Sequence, residues 1–436
     1  MRDHPAPPNV RKVLGLALPA LVVLAAEPLY VLVDTAMIGH LGTLPLAGLA
    51  IGGTVLAQVS GQLNFLAYGT TARAARRYGA GDHEGAVREG VNASLLALAI
   101  GALIVLLVEV FAWPIARLIG GADSPALQGA VQWLRVAILG APGILLALAG
   151  NGWMRGIQRT RQPTVYVIIG FGLCLILLPI MVRGLGWGLV GSAIANVIAQ
   201  WVTGGLFGFA LLRERVSLRP QRAVMTGQLR TGRDLFVRTL ALQGSFVFAA
   251  ALCSRMGPEV IGAHQIGLQM FMLTALALDA VAVAAQSLVG AALGRQDRAA
   301  AVSAAQLCAR VGFMAGAAFA LLLVLLQPVA PSLFTSSPAV LREAATMWWW
   351  LAGMQVITGV LFALDGVLMG ANDVAVLRTI TIFAHAVVYV PIAWIAYTAG
   401  WGISGIWLGL TMSLAVRLVL GGRRVRSERW MLARVT

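Results

Sequence analysis

The amino-acid sequence predicts an all-α integral membrane protein, with twelve transmembrane helices in two six-helix bundles related by a pseudo-two-fold axis along the membrane normal. Three observations predict it. The 436 residues are 59% hydrophobic and 11% charged, with a mean hydropathy of +0.84, whereas a soluble domain carries about 25% charged residues. Twelve apolar runs, each near the ~20 residues that a bilayer crossing needs, take up most of the chain. The second half also repeats the first at a fixed offset.

The runs are delimited by Gly, Pro and Arg. The first, 13 to 38, follows the polar, proline-bearing stretch MRDHPAPPNVRK; no small-residue cleavage site precedes the next loop, so the run is expected to be retained. The second, 44 to 70, ends before Arg73, Arg76 and Arg77, and the third, 91 to 113, closes at Trp113-Pro114. The fourth spans 131 to 154, the fifth 164 to 183 and the sixth 187 to 212. The longest polar segment follows, Arg213 to Asp234 (RERVSLRPQRAVMTGQLRTGRD), expected to lie on the membrane surface as a cytoplasmic linker. Six more runs complete the chain: 235 to 254, 262 to 292, 308 to 330, 345 to 369, 378 to 399 and 401 to 420. The predicted organisation is therefore an N-terminal bundle over 1-212, a linker over 213-234 and a C-terminal bundle over 235-436.

Charge orients these spans. The formal net charge is +15 and the pI about 11.2, but the basic residues fall between apolar runs rather than along one face, which speaks against nucleic acid as a partner. With the N-terminus inside, 27 of the 32 Lys and Arg residues fall on the inner side, and only Arg117, Arg135, Arg183, Arg255 and Arg342 on the other. Cytoplasmic loops retain Lys and Arg, so both termini are expected in the cytoplasm and the chain in the cytoplasmic (inner) membrane.

A shift of 214 residues superposes separate stretches. GWGLVG from Gly186 falls on GWGISG from Gly400; NGWMRG from Asn151 falls on DGVLMG from Asp365; Gly48 falls on Gly262. After one inserted residue, GAGD (Gly79 to Asp82) meets GRQD (Gly294 to Asp297). Each half then holds six spans, and an even number returns the chain to its starting side, which is the arrangement of a parallel repeat.

Several chemistries are excluded. Lys12 is the only lysine and Arg11 precedes it, so there is no GxxxxGK phosphate loop and no ATP hydrolysis is expected. No GxSxG stands in the chain, and Asn372-Asp373 has no second acid near it to hold Mg²⁺. Cys174, Cys253 and Cys308 sit singly in apolar runs, away from any histidine at ligand spacing, and read as packing. Neither an enzyme, a resident metal nor a cofactor is expected.

The acids inside the runs carry the functional reading. A charge at bilayer depth costs about 3 kcal/mol on insertion scales and usually faces a cavity. Glu27, Asp34, Asp279 and Asp365 lie well within spans. Glu27 and Asp34 are seven apart, about 10.5 Å along a helix and nearly on one face, with Pro28 between them and Pro19 earlier, so the first span is the one placed to bend. An aspartate withdrawn from water can keep its proton near neutral pH, which would let Asp34 exchange a proton between compartments. Glu109 reads as a snorkelling rim residue and His385 as a hydrogen-bonded interior group. Gln58, Gln62, Asn64, Asn151, Asn196, Gln265, Gln269 and Gln286 are candidates for lining a cavity, although interhelical hydrogen bonding would equally account for most of them. Met270, Phe271 and Met272 read as packing or lipid-facing.

The stretch LPALVVLAAEPLYVLVDTAMIGHLG, from Leu18 to Gly42, resembles the first span of the multidrug and toxic compound extrusion (MATE) family, in its DNA-damage-inducible F (DinF) branch. GAHQIGLQMFMLTALALDAVAVAAQSLVGAALG (Gly262 to Gly294) and FALDGVLMGANDV (Phe362 to Val374) resemble its second lobe. The resemblance implies a secondary exporter that exchanges H⁺ or Na⁺ for organic, often cationic and amphipathic, compounds. It implies a bending first helix carrying Pro19 and Asp34, and second-lobe acids at Asp279 and Asp365. Many relatives carry Asn and, four residues later, Asp on the fifth span; the matching positions here are Cys174 and Leu178. A Na⁺ site needs several oxygens, whereas one desolvated carboxyl suffices for a proton. The expectation is a monomeric H⁺-coupled antiporter of lipophilic cations, working by alternating access in the lipid bilayer. The alternatives are Na⁺ coupling, a lipid-linked oligosaccharide flippase, which would want a basic interior where this one reads as acidic, and a non-transporting scaffold or receptor.

Overall fold

The computed structural model describes residues 9–121 and 124–432; most of the polar N-terminal segment, including Arg2, and also Arg434, lie outside the described residues. All regular structure among the described residues is helical, as expected where hydrocarbon offers a backbone N–H no partner outside its own segment. Among these residues eleven helices are long and apolar enough to cross a membrane, and a pair bent by 46° gives a twelfth crossing.

The chain divides into two compact units, Val22–Gly232 and, separately, Arg233 onward together with the chain up to Leu21. Helix α1 (Val10–Gly39) is continuous through both Pro19 and Pro28 and supplies the first unit from Val22 on. The first unit continues with α2 (Thr43–Gln62), α3 (Phe65–Gly79), α4 (His83–Gly120), α5 (Leu127–Ile138), α6 (Ala141–Gly156), α7 (Arg161–Pro179) and α8 (Gly188–Arg213). Its core gathers Ile38, Trp133, Leu134 and Ile138, with Cys174 and Leu178 of α7. Helix α9 (Arg222–Met256) leads into the second unit, which comprises α10 (Pro258–Gly294), α11 (Arg298–Leu326), α12 (Pro338–Gly370), α13 (Val374–Phe383), α14 (Val390–Thr398) and α15 (Gly402–Arg426). Met347, Trp348, Leu351 and Trp407 form the centre of its core.

The structure departs from the sequence reading at three segments. The runs at 44 to 70 and 131 to 154 are each broken, at Leu63-Asn64 and at Leu139-Gly140. The segment 213–234 is not a free surface linker, because α9 begins within it. Gln228 is buried, its Nε2 donating to the Glu89 carbonyl at 2.9 Å and carboxylate at 3.1 Å, while the Gln221 N–H donates to Asn92 Oδ1 at 2.7 Å. The polarity of this stretch serves buried groups of α4 as well as solvent.

The internal repeat has a backbone counterpart. Left-handed residues recur in matched pairs: Gly42 with Gly257, Gly81 with Gln296, Gln158 with Asn372, Gly186 with Gly400, Gly188 with Gly402 and Arg215 with Glu428. The NGWMRG/DGVLMG match has a packing cause. A Cβ on Gly152 would stand 2.7 Å from the Ala67 carbonyl oxygen, and on Gly156 2.6 Å from Ala74 Cβ, so α6 lies hard against α3. Likewise a Cβ on Gly366 would stand 2.3 Å from the Ala282 oxygen, and on Gly370 2.6 Å from that of Gln286. Small residues four apart let backbones approach in a membrane, where apolar side chains gain little by leaving lipid.

Candidate functional site

Asp34 is 2% exposed although Leu32 and Thr35, close to it on α1, are open and Val33 is half-buried. Its Oδ1 accepts from Ser192 Oγ of α8 at 2.6 Å and its Oδ2 from the Tyr30 hydroxyl, one turn back, at 3.2 Å. Trp133 of α5 donates through Nε1 to Ser192 Oγ at 3.3 Å and fixes that hydroxyl in turn. Asp34 takes part in none of the described ion pairs. A hydroxyl can donate to a carboxylate or accept from a carboxylic acid, so this cage suits both protonation states of Asp34.

Two cavities adjoin the cage. One, of about 300 Å³, is lined by Glu27, Tyr30 and Asp34 with Trp133, Asn196 and Gln200. The other, of about 150 Å³, shares Glu27, Tyr30, Asn196 and Gln200 and adds Asn151 and Cys174. Glu27 is open to this space, which Ser60 of α2 also lines. The shared helical face expected for Glu27 and Asp34 is thus realised, and Cys174 stands beside them where the resemblance would place an asparagine.

The second unit treats its acid differently. Asp365 Oδ2 accepts from Arg417 at 2.7 Å and from Arg238 at 2.5 Å, and Arg417 is only 4% exposed. Guanidinium groups only donate, so Asp365 serves here as acceptor to two fixed cations, where Asp34 faces hydroxyls. Two cations around one anion also leave a net positive charge, which corrects the expectation of a uniformly acidic interior. The reason is that Arg238 and Arg417 lie within the runs 235 to 254 and 401 to 420 but enter the linear reading only as part of the charge bias, whereas the structure turns them onto Asp365. His385 is buried in the wide turn between α13 and α14, where neither ring nitrogen has a hydrogen-bond partner among the described residues, which corrects the expectation of a hydrogen-bonded interior group. Asp279 is half-buried on α10 and has partners of its own.

Of the eight amide candidates, Asn151 and Asn196 line the cavities beside α1. Gln58, Gln265 and Gln269 are exposed on other faces, Gln62 and Asn64 sit at the break between α2 and α3, and Gln286 is buried at the contact of α10 with α12. Glu109 pairs loosely with Arg135 at 3.7 Å, as a rim residue would. The residues that sequence reasoning missed are Tyr30, Ser192, Trp133, Ser60 and Gln200. Only Tyr30 and Ser60 carried a signal, being one turn from an intramembrane acid or on the span next to it.

Comparison with known proteins places the chain in a family. The MatE family model matches residues 19–181 and 235–395. The chain is 30% identical to DNA damage-inducible protein F of Escherichia coli (strain K12) over 433 residues, covering 96% of this chain and 93% of that one. It is 31% identical to Protein DETOXIFICATION 44, chloroplastic, of Arabidopsis thaliana, covering 99% and 86%. A crystal structure of MATE in the bent conformation matches the fold with a TM-score of 0.90 at 24% identity, covering 96% of each chain. Twelve apolar crossings, a twofold sequence repeat and a family match that extends through both halves lead to one conclusion: the chain belongs to the MatE family of multi-pass membrane transporters, and is a transporter rather than an enzyme.

Proposed function

We propose that this transporter is an antiporter of the cytoplasmic membrane that exports lipophilic organic cations in exchange for protons, with Asp34 as the proton carrier. The observation that carries the reading is the contrast between the two buried aspartates. Asp34 is held by hydroxyls that accept either protonation state, next to a cavity it shares with Glu27, whereas Asp365 is held by two guanidiniums. A cation entering beside Glu27 and Asp34 would favour release of the Asp34 proton, and reprotonation would favour release of the cation; such linkage is reciprocal. Cys174 and Leu178 on α7 give Na⁺ coupling few oxygens to work with, which supports H⁺ as the coupling ion. The arginines at Asp365 give the flippase alternative its one foothold, and a flippase would require a phosphate-bearing substrate.

The test is exchange in proteoliposomes containing the full chain, with an imposed pH gradient and ethidium as substrate. Asp34→Asn is expected to lower gradient-driven uptake about 100-fold while ethidium–ethidium exchange persists, and a Na⁺ gradient at equal pH is expected to drive nothing. Full pH-driven transport by Asp34→Asn would sink the assignment; Na⁺-driven transport would replace the ion.

A further inference from the structure

A third, larger cavity lies wholly within the other unit, between α11, α12 and the end of α15. Its volume is about 900 Å³. Arg310, Arg423 and Arg426 stand at its rim, all exposed, and none has an acidic partner among the described residues. The neighbouring Arg424 is different, since it pairs with Asp373 at 2.7 Å. Glu428 is the one acid in the lining, leaving it a net positive charge. The floor is apolar, from Val360, Leu364 and Leu418. One end is closed by Trp430, fully buried and anchored through Nε1 to the Val425 carbonyl at 2.8 Å.

We infer that this cavity binds an acidic phospholipid of the leaflet in which α15 ends, with the phosphate among the three arginines and an acyl chain over the apolar floor. Loop orientation and the helix dipole explain why cations gather at this end of α15. They do not explain an apolar recess beneath unpaired guanidiniums, and basic pockets between transmembrane helices are suited to lipid headgroups. A free inorganic anion would have no use for the floor. The neighbouring surface is lipid-facing in character, with Phe313, Met314 and Val419 each about half exposed. Gly422 keeps the recess open: a Cβ there would meet only Leu364 Cδ1, at 4.0 Å. The inference rests on the membrane fold alone and is independent of proton coupling at Asp34.

The experiment is native mass spectrometry of the delipidated full chain in detergent, titrated with phosphatidylglycerol or phosphatidylcholine of identical acyl chains. Phosphatidylglycerol is expected to bind more tightly. The Arg310→Gln/Arg423→Gln/Arg426→Gln variant should weaken it about tenfold or more, while the corresponding triple lysine variant retains it, which separates loss of charge from loss of fold. Gly422→Leu, which fills the recess without touching a charge, should weaken phosphatidylglycerol as well. Equal binding of the two lipids, undiminished binding by the glutamine variant, or displacement of the lipid by inorganic phosphate would overturn the inference.

Discussion

Asp34 and Asp365 are the same side chain in the same kind of apolar run, yet their neighbours assign them different work. Replacing either by Asn removes a carboxyl that can carry a negative charge. At Asp34 it leaves two hydroxyls that can rearrange their hydrogen bonds; at Asp365 it leaves Arg238 and Arg417 facing each other in a buried site without an anion. Removing one partner from a buried ion pair costs about 3–5 kcal/mol. Asp365→Asn is therefore expected to lower the melting temperature of the detergent-solubilised protein by several degrees, and Asp34→Asn to leave it nearly unchanged. Equal melting shifts would show that the arginine cluster is not a structural tie. At this scale the sequence was readable for the acids, since a carboxyl in a hydrophobic run announces itself by its cost. It was unreadable for Ser192 and Trp133, which are 158 and 99 residues from Asp34 along the chain and look like ordinary span residues. The inward turn of Arg417 was not legible either, because nothing in a linear count distinguishes an arginine near a span end that points to water from one that turns inward.

At the scale of the element, the two repeated devices are a cap and a close approach. Asp82 and Asp297 each begin a helix by accepting the N–H three residues on, from Gly85 at 2.7 Å and from Ala300 at 2.9 Å. The Gly85 N–H, assisted by the Arg77 guanidinium and opposed by slight burial, holds the Asp82 carboxyl below the usual carboxylate range. Because the folded value is the lower one, the cap contributes its stability above the ordinary aspartate value, near pH 3.9, and loses it as pH falls through the folded value. Asp82→Ala should thus cost about 1 kcal/mol at pH 6, a difference that shrinks in thermal melts below about pH 4. For the close approach, Gly366→Ala forces a methyl group against the Ala282 carbonyl and is expected to destabilise by about 1–3 kcal/mol. Gly353→Ala on the same helix meets nothing within 4 Å and should be neutral or slightly stabilising through helix propensity. If the two variants melt alike, the packing account of the repeat fails. The existence of each crossing was legible from its apolar run. The breaks at Leu63-Asn64 and Leu139-Gly140 were not, since an apolar run stays apolar across a bend. The early start of α9 was hidden for the opposite reason, because its first turns are polar and satisfy buried groups of α4.

For the whole molecule, the number of crossings and the repeat were legible because both are properties of pattern over hundreds of residues, insensitive to any one boundary. Sidedness rests on the same kind of signal. If 27 of the 32 basic residues mark the cytoplasmic face, then the turn at Arg295, between α10 and α11, is inside, and the turn at Ser336, between α11 and α12, is outside; both residues are exposed. The native Cys174, Cys253 and Cys308 are buried, so the wild-type chain gives a low background for thiol labelling. A membrane-impermeant maleimide should label Ser336→Cys in intact cells and Arg295→Cys only after permeabilisation. The reverse pattern would invert the orientation, and with it the direction in which a proton gradient could drive substrate past Asp34. Labelling of both in intact cells would mean that the two turns share a face, which a single crossing by α11 forbids, and the topology itself would fall.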